Sequence, residues 1–530
     1  MSARALGLAL LAALACAAPA QARPATAAGD GRPNVLLVMT DDQALEDLRH
    51  MPNVQRLLVD RGTSFSQAIT SFPLCCPSRA TVLTGQFAHN HGVSGNFAPE
   101  GWYGMKKRAN TLGTWLQRAG YRTSLVGKWL NGYGARGQTE VPAGWTDWHG
   151  ILDLSAYDYF NFTMNDNGRL RTYGDADYAR RLNAFAVPVE RREIANIGDF
   201  ARLLSTSFVP GDFGTARPED YTVDVTASVT DRILRHESRS RRPFFAWWSV
   251  AAPHREDVNS QRGIPWRNDP RPAPRDEAAA QRFGLPRPPS FDEADVSDKP
   301  SLLRDLPPLD DRAVERLQHN YEGRIGSLQA VDRGVARLMG TLKATRQLDN
   351  TVVVFTSDNG WVQGEHRIPG DKFVPYEESI KVPLIVRGPG FAAGRVVDNP
   401  VSNADLAPTL LDLGRARPGR RMDGTSLVPF ARRPRTAPYR AMPVEATGKL
   451  FAAEGFPQEY DRPYSGLRTR RFKYVRWDYG PRELYDLRAD PYEMTNLAGD
   501  PAHAGTVARL EAQRRKLARC RGRACLATKG

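Results

Sequence analysis

The stretch NVLLVMTDD, at Asn34–Asp42, places an apolar run of strand length directly before two adjacent carboxylates. Its branched apolar residues are typical of a β-strand. Three more runs end in polar groups in the same way: Thr123–Val126 before Lys128, Phe244–Val250 before His254, and Thr351–Thr356 before Asp358 and Asn359.

Helical patterns alternate with these runs. Leu112, Trp115 and Leu116 share one face of a short helix that Gly120 can cap, and helical spacing continues from Val314 to Leu338. The alternation predicts an α/β fold with a large, mostly parallel sheet flanked by helices, to which the run Val382–Val386 adds a strand. Ligands bind such sheets at the carboxyl ends of the strands, so we expect the polar strand ends to meet in one pocket.

Two of the strand ends supply only oxygen ligands. They carry Asp41 with Asp42, and Asp358 with Asn359. Hard oxygen donors favour Ca²⁺ or Mg²⁺ over Zn²⁺, and no His/Cys cluster has zinc spacing. A single such pair is more often a turn or a helix cap, but two pairs that each close a strand predict a metal site.

The N-terminus has the pattern of an export signal. Arg4 precedes the short apolar run Leu6–Ala15, and Ala20-Gln21-Ala22 offers a small-residue cleavage site. Residues 1–22 are therefore predicted to be a signal peptide, and the protein to be secreted or extracytoplasmic. Lipid attachment at Cys16 is the alternative. No other apolar stretch is long enough to span a membrane.

The five cysteines divide into three groups. Cys16 leaves with the signal, and Cys520 and Cys525 are close enough in sequence to form a local disulfide in an oxidising compartment, the alternative being two free thiols. Cys75 and Cys76 are adjacent and have no further partner. An unpaired thiol in an exported protein is often a reactive one.

The net charge of +14 fits either a solvated basic surface or attraction to anionic substrates. No RNA- or DNA-binding motif accompanies it, so nucleic acid is not expected as a partner.

Two regions of the chain differ from the rest in composition and sequence pattern. Pro253–Asp311 is rich in proline and charge and is predicted to be a long loop or lid over the site. Beyond Asp423-Gly424, the segments Tyr464–Trp477 and Glu483–Leu487 have the pattern of an antiparallel hairpin. We therefore predict a catalytic domain at residues 33–430 and a small α+β domain with an antiparallel sheet at residues 431–530.

The segment CCPSRATVLTG, at Cys75–Gly85, predicts a helix with Pro77 in its first turn. Cys75 then lies just before the helix N-terminus, where backbone N–H groups favour an anion. Arg79 follows about one turn later and can point back toward Cys75. An ordinary buried cysteine at a helix start is the alternative.

This segment resembles the signature of type I sulfatases, in which Cys-x-Pro-x-Arg is followed by Thr-Gly. The resemblance spans roughly Pro33 to Leu497, nearly the whole mature chain. It implies the fold of the alkaline phosphatase superfamily. Further segments similar to sulfatase motifs are Gly127-Lys128-Trp129, Pro253-His254, Ser357-Asp358-Asn359-Gly360 and Gly364-Glu365-His366 through Lys372.

The resemblance implies that Cys75, not Cys76, is converted to formylglycine by a formylglycine-generating enzyme. The hydrated aldehyde has two hydroxyls: one attacks sulfur and displaces the alcohol, and the other expels sulfate. One Ca²⁺ per chain assists. The implied metal ligands are Asp41, Asp42, Cys75, Asp358 and Asn359.

The resemblance also implies roles for four further residues. Arg79 holds the diol, Lys128 and Lys372 bind sulfate oxygens, and His254 donates a proton to the leaving alcohol with help from Lys372. The substrate is then a sulfated small molecule or a sulfated sugar.

One position departs from the pattern of many sulfatases, which carry His two residues after the first active-site lysine. That position is Leu130, and His89, His91 or Asn131 are candidates to replace the missing group. The Leu-Asn version with Cys75-Cys76 is more similar to the N-acetylglucosamine-6-sulfatase branch, which implies sugar sulfates. Arylsulfatase-like members are the other group that is near in motif, so an arylsulfatase is the alternative to a sugar 6-sulfatase. His366 is a candidate supporting or substrate-contacting residue.

Two other functions compete with sulfate-ester hydrolysis. One is hydrolysis of phosphonate or phosphate esters within the same superfamily. The other is non-catalytic binding of polyanions, against which the intact set of site residues argues.

Overall fold

The computed structural model describes residues 31–96, 100–153, 155–181, 217–256, 269–434, 438–446 and 463–526. The predicted signal peptide and Cys16 lie outside these residues. Within the described part of the chain, every helix is too short or too polar to cross a membrane.

A sheet of ten strands forms the centre of the molecule, and a two-stranded and a four-stranded sheet lie beside it. The strands in chain order are β1 (Asn34–Thr40), β2 (Thr63–Phe65), β3 (Ala68–Ile69), β4 (Arg122–Lys128), β5 (Asp147–Ile151), β6 (Phe162–Asp166), β7 (Arg169–Tyr173), β8 (Phe244–Ser249), β9 (Thr351–Ser357), β10 (Leu384–Arg387), β11 (Arg395–Val397), β12 (Val401–Ser402), β13 (Met442–Ala446), β14 (Tyr464–Arg468), β15 (Phe472–Trp477) and β16 (Arg482–Asp486).

The large sheet has the order β11-β2-β10-β9-β1-β8-β4-β5-β6-β7. Its central strands β9, β1, β8, β4 and β5 are parallel, as predicted. The strands toward the edges include antiparallel pairs, among them β10 with β9. The run Val382–Val386 therefore does contribute a strand, but the direction of β10 could not be derived from apolar content.

Helices cover both faces of this sheet. The longer α-helices in the described ranges are α1 (Cys75–Thr84), α2 (Leu112–Arg118), α3 (Thr222–Glu237), α4 (Asp311–Ala344), α5 (Leu406–Leu413), α6 (Val428–Arg432) and α7 (Ala504–Leu517). Other helical segments and turns include Leu45–His50, Pro52–Val54, Gln55–Val59, Ala88–His91, Gly101–Gly104, Ser155–Tyr157, Glu277–Ala280, Ser301–Arg304, Glu377–Ile380 and Gly522–Leu526.

The central strand β1 explains why its sequence is apolar without alternation. Val35, Leu37 and Met39 pack in the core under α1, α2 and α5. Leu36 and Val38 pack in the opposite core, under α3 and α4. Because both faces of a parallel sheet are covered by helices, every side chain of the strand is buried.

The smaller sheet β13-β14-β15-β16 is antiparallel throughout. The predicted hairpin segment Tyr464–Trp477 contains two strands of it, and β13 was not predicted. Helix α7 packs on this sheet, and Cys520 and Cys525 are bonded as predicted. The boundary at residue 430 remains a prediction.

The described part of Pro253–Asp311 is mostly irregular, with short helical turns. Its Asp292 N–H donates to the Gly364 carbonyl at 2.8 Å, which attaches it to the loop that precedes Lys372. The long loop is therefore present; that it acts as a lid remains a prediction.

Candidate active site

The polar strand ends meet at one edge of the large sheet, as predicted. They lie there because β9, β1, β8 and β4 are neighbours in this order and run in the same direction. Lys128 contacts Asp41, and His254 Nε2 lies 3.5 Å from Asp42 Oδ2. Asp358 N–H donates to the Thr40 carbonyl at 3.2 Å, which joins the ends of β9 and β1.

Asp41 is fully buried and surrounded by cations. Its Oδ2 accepts from Lys128 Nζ and, at 3.1 Å, from Arg79. Burial acts to raise the pKa of Asp41, but the charges of Lys128 and Arg79 outweigh burial and hold the pKa below its ordinary value. Asp41 is therefore an ionised carboxylate.

Asp42 has a backbone conformation that few residues other than glycine adopt, with φ of 64°. Its N–H donates to Asp358 Oδ1 at 3.1 Å, and its Oδ1 accepts from Lys372 Nζ at 2.5 Å and from Asn359 Nδ2 at 2.7 Å. Strained backbone of this kind persists where surrounding contacts determine it, and it is concentrated at functional sites.

The donor set fits a divalent cation. Ligand atoms of Asp41, Asp42, Cys75 and His254 lie within 4.8 Å of one another. Among the described residues, Asp42 Oδ2 and Asn359 Oδ1 are buried acceptors without a hydrogen-bond partner. Since buried acceptors need a partner, a cation between these atoms would satisfy them.

Asp358 is not one of those four residues. Its Oδ2 accepts from Arg79 Nε at 2.7 Å, and its Oδ1 accepts from the N–H groups of Asp42 and Asn359. Burial, followed by the nearby Asp41 charge, raises the pKa of Asp358 to about 6. Like Asp41, it accepts three hydrogen bonds from protein donors.

Cys75 is the first residue of α1, with Leu74 as the residue before the helix, so it lies one position further into the helix than predicted. Its Sγ is 3.3 Å from Asp41 Oδ1 and 3.0 Å from Lys372 Nζ. Burial raises the pKa of this thiol to about 12. The thiol itself is therefore a poor nucleophile at neutral pH.

Arg79 does not hydrogen-bond Cys75 in the described contacts, although it shares a helix face with it. The guanidinium reaches past the thiol to two carboxylates, Asp41 and Asp358, and donates to Ser249 Oγ at 2.6 Å. A planar fork with several donors suits such bridging. Arg79 therefore fixes the carboxylates relative to α1.

Gly127 determines the position of Lys128 at the end of β4. A Cβ at Gly127 would lie 1.9 Å from the Ser249 carbonyl oxygen, and φ there is 108°. Only glycine allows β4 to approach β8 so closely. The Lys128 ammonium then contacts Asp41 and lies 4.3 Å from the centre of the Tyr157 ring.

His254 has one ring nitrogen fixed by the backbone. Its Nδ1 is 2.7 Å from the Arg255 carbonyl, which can only accept, so Nδ1 carries a proton. Nε2 therefore faces Asp42 and is the atom that can exchange a proton in the site. The Tyr157 ring lies 4.3 Å from the His254 ring, centre to centre.

Lys372 belongs to a loop with strained backbone at His366, Arg367 and Phe373, where φ is 53°, 65° and 77°. His366 bonds the Glu293 carboxylate at 2.6 Å, outside the Asp41–Asp42 cluster, and its ring centre lies 4.2 Å from that of Tyr376. Of its two predicted roles, the contacts therefore favour support.

The segment just after Lys372 is fastened to the smaller sheet. Tyr376 donates to Glu483 at 2.6 Å, and the Glu377 carboxylate accepts from Arg468 at 2.9 Å. The N–H of Glu377 donates to Glu493 at 2.8 Å. The small sheet thus helps to hold the Lys372 loop in place.

The three candidates to replace a histidine at Leu130 have different surroundings. His89 bonds Glu445 at 2.8 Å, and Glu445 is not part of the Asp41–Asp42 cluster. His91 contacts Thr81 at 3.1 Å, and burial lowers its pKa to about 3. Asn131 donates to the Tyr157 hydroxyl at 2.6 Å. Only Asn131 is linked in this way to the ring beside Lys128.

Sequence reasoning missed Tyr157 and Ser249. Tyr157 is not part of any motif that the sequence shows. Ser249 is the last residue of β8, and the sequence pattern pointed to His254, a few residues later, as the polar residue at the end of that strand. Both become visible only when the strands are assembled.

Comparison with known proteins identifies the family of this chain. The sulfatase family model matches residues 33–416, and a model of the C-terminal region of N-sulphoglucosamine sulphohydrolase matches residues 364–520. The chain therefore belongs to the sulfatase family, and its enzyme class is sulfuric-ester hydrolase.

Two named relatives are similar to most of this chain. The chain is 31% identical over 509 residues to human N-acetylglucosamine-6-sulfatase, covering 89% of this chain and 82% of that protein. It is 32% identical over 415 residues to a Drosophila melanogaster extracellular sulfatase SULF-1 homologue, covering 77% of this chain but only 32% of that longer protein.

The fold is similar to the solved structure of BT4656 in complex with its substrate D-glucosamine-2-N,6-O-disulfate. The TM-score is 0.69 at 22% identity, with coverage of 91% of this chain and 97% of that chain. This likeness supports the large mixed sheet with a small antiparallel sheet near the C-terminus.

Proposed function

We propose that this chain is an exported sulfatase that carries formylglycine at position 75, binds one Ca²⁺, and removes sulfate from sugars. The observation that carries the proposal is the position of Cys75, at the start of α1, between Lys372 and a buried carboxylate cluster. A formylglycine-generating enzyme is then the maturation partner.

When present, the formylglycine hydrate would supply a hydroxyl nucleophile, and Ca²⁺ held by Asp41, Asp42, Asp358 and Asn359 would polarise the sulfate group. The chain's own cations complete the site. Burial acts against the charged form of Lys372, but Asp42 outweighs it and raises the pKa of the lysine well above its ordinary value. The ammonium groups of Lys128 and Lys372 therefore stay protonated and can bind the sulfuryl oxygens as negative charge shifts during bond cleavage.

The leaving alcohol needs a proton, and His254 is placed to supply it. With Nδ1 held by a carbonyl, a protonated Nε2 is the only ring position that can donate into the site. An alkyl or sugar alkoxide is a poor leaving group, so this donation matters most for such substrates.

The sugar substrate is supported by two relatives. One is named N-acetylglucosamine-6-sulfatase, and the solved structure of another contains a 6-O-sulfated glucosamine. We therefore propose a 6-sulfated amino sugar as the substrate class. Export is supported by the N-terminal pattern and by a relative named an extracellular sulfatase.

The decisive assay measures inorganic sulfate released from N-acetylglucosamine 6-sulfate and from 4-nitrophenyl sulfate by enzyme matured in an exporting host. Matched 4-nitrophenyl phosphate and phosphonate esters are run in parallel. Faster phosphonate or phosphate turnover would favour the rival hydrolase, and no turnover of any ester would favour polyanion binding without catalysis. Peptide mass spectrometry across Cys75 reports whether the thiol has been converted in the same preparation.

A further inference from the structure

Tyr157 is a buried tyrosine, 3% exposed, in the helical turn Ser155–Tyr157. The face of its ring contacts two groups that the proposed reaction uses. Lys128 Nζ lies 4.3 Å from the ring centre, and the His254 ring lies 4.3 Å away at an interplanar angle of 37°. One side chain thus touches both the sulfate-binding lysine and the proton donor.

The hydroxyl end of Tyr157 is also fixed. It accepts a hydrogen bond from Asn131 Nδ2 at 2.6 Å, and Asn131 is itself buried, at 2% exposure. Because Asn131 follows Lys128 by three residues, the end of β4 supplies both the amide that holds the ring and the ammonium that rests on it. Moving the whole ring away from its position would therefore break a buried hydrogen bond.

Both partners also lie next to a carboxylate of the cluster. Lys128 contacts Asp41, and His254 Nε2 faces Asp42. Asp41 and Asp42 therefore attract the Lys128 ammonium and the His254 ring, and both of these groups pack against the Tyr157 ring. A cation near an aromatic face is also stabilised by the ring's electron density.

We propose that Tyr157 is a positioning residue that holds Lys128 and His254 at the distances needed for sulfate binding and proton donation. This inference rests on the proposed function, since it assigns the ring to those two steps. It makes no use of the tyrosine hydroxyl in chemistry, and the hydroxyl serves only to fix the ring through Asn131.

The test variant is Tyr157→Leu, which removes the ring but keeps an apolar side chain. A series of aryl sulfates with phenols of increasing pKa reports on proton donation. We expect kcat/KM to fall about tenfold for the best leaving group and about a hundredfold for the worst, because a misplaced His254 harms poor leaving groups most. Affinity for inorganic sulfate, measured by calorimetry, should weaken about tenfold because Lys128 is misplaced.

Tyr157→Phe keeps the ring and should restore the leaving-group dependence of the wild type with only a few-fold loss of kcat. The matched control is Tyr474→Leu, since Tyr474 is a buried tyrosine in the core between the small sheet and α7. It should lower thermal stability without changing the leaving-group dependence. In the double variant His254→Ala/Tyr157→Leu, the dependence of kcat/KM on the pKa of the phenol should be the same as in His254→Ala alone.

The proposal is overturned if Tyr157→Leu lowers kcat/KM equally for all phenols, or if sulfate affinity is unchanged. Either outcome would make Tyr157 a core residue only. Failure of the proposed sugar substrate has a different signature, namely a wild-type enzyme that releases sulfate from aryl esters but not from N-acetylglucosamine 6-sulfate. The calorimetric arm needs no turnover, so an inactive preparation still tests the contact with Lys128.

Discussion

Cys75 and Cys76 are adjacent, both are buried, and neither is in a disulfide, yet their surroundings differ. Cys75 faces Asp41 and Lys372. Cys76 packs in the apolar core under α1. A helix turns by about 100° per residue, so one position along the chain separates the reactive site from the core.

Cys75→Ala should therefore abolish sulfate release, by roughly 10⁶-fold if position 75 carries the nucleophile. Cys76→Ala should keep turnover within about threefold and cost about 1 kcal/mol of stability through a small cavity. Turnover of both purified variants is compared, with mass spectrometry of the 75-containing peptide. Substantial activity in Cys75→Ala would contradict the assignment.

His254 and Lys128 should respond differently to the leaving group. We expect His254→Ala to cost on the order of a hundredfold in kcat for a sugar sulfate and much less for 4-nitrophenyl sulfate, whose oxygen needs no proton. Lys128→Ala should harm both substrates alike, because it contacts the sulfuryl group that they share. Equal losses for His254→Ala on both substrates would transfer the acid role to another group.

At the scale of elements, the sequence was most informative where a strand is buried on both faces. The runs rich in branched and aromatic residues located β1, β4, β8 and β9, and the polar residues after them located most of the candidate site. The direction of β10, the strand β13 and the contact of Tyr157 with Lys128 were not predictable. They depend on which segments become neighbours, and local composition does not contain that information.

The approach of β4 to β8 gives a prediction at this scale. Gly127→Ala would place a methyl group 1.9 Å from the Ser249 carbonyl and impose a positive φ on alanine. We expect a loss of about 3 kcal/mol in stability and a fall in kcat as Lys128 shifts. Gly340→Ala on α4 is the control, since nothing lies within 4 Å of its added Cβ. It should be neutral or stabilising by up to about 1 kcal/mol in chemical denaturation.

At the scale of the whole molecule, metal binding should couple to stability. Chelation should lower the thermal midpoint, and Ca²⁺ at a hundredfold above its dissociation constant should restore about 2.7 kcal/mol. Asp42→Asn should reduce this Ca²⁺-dependent shift. Asp405→Asn breaks a different buried ion pair, with Arg440 at 2.8 Å, and should destabilise the fold while keeping the shift. Stoichiometric zinc without calcium or magnesium in purified protein would contradict the assignment.

His89 links the first half of the chain to its last residues, through Glu445 and the Cys520 carbonyl. Burial acts to lower the pKa of His89, but the hydrogen bond and charge of Glu445 outweigh it and raise the pKa. A histidine whose pKa is higher in the folded than in the unfolded state stabilises the fold. This contribution is fully present at pH values below the pKa of the unfolded state, about 6.5, and is lost as the pH rises through the pKa of the folded state.

The thermal midpoint should therefore fall more between pH 6 and pH 8.5 in the wild type than in His89→Gln. At pH 6 the variant should be less stable by about 1.5 kcal/mol, the contribution of a charge-assisted hydrogen bond. His236→Gln, at an exposed position near the end of α3, is the control and should follow the wild-type profile. Parallel profiles for His89→Gln and the wild type would contradict the prediction.

The contacts between the Lys372 loop and the small sheet predict the effect of mutations in the gene. Glu483, Arg468 and Glu493 hold Tyr376 and Glu377, a few positions after the lysine. A premature stop codon after residue 430 would leave every carboxylate of the cluster encoded, yet it would remove the partners that fix this lysine. Nonsense alleles late in the reading frame should therefore be null for sulfate release, and missense alleles at these three positions should be partial.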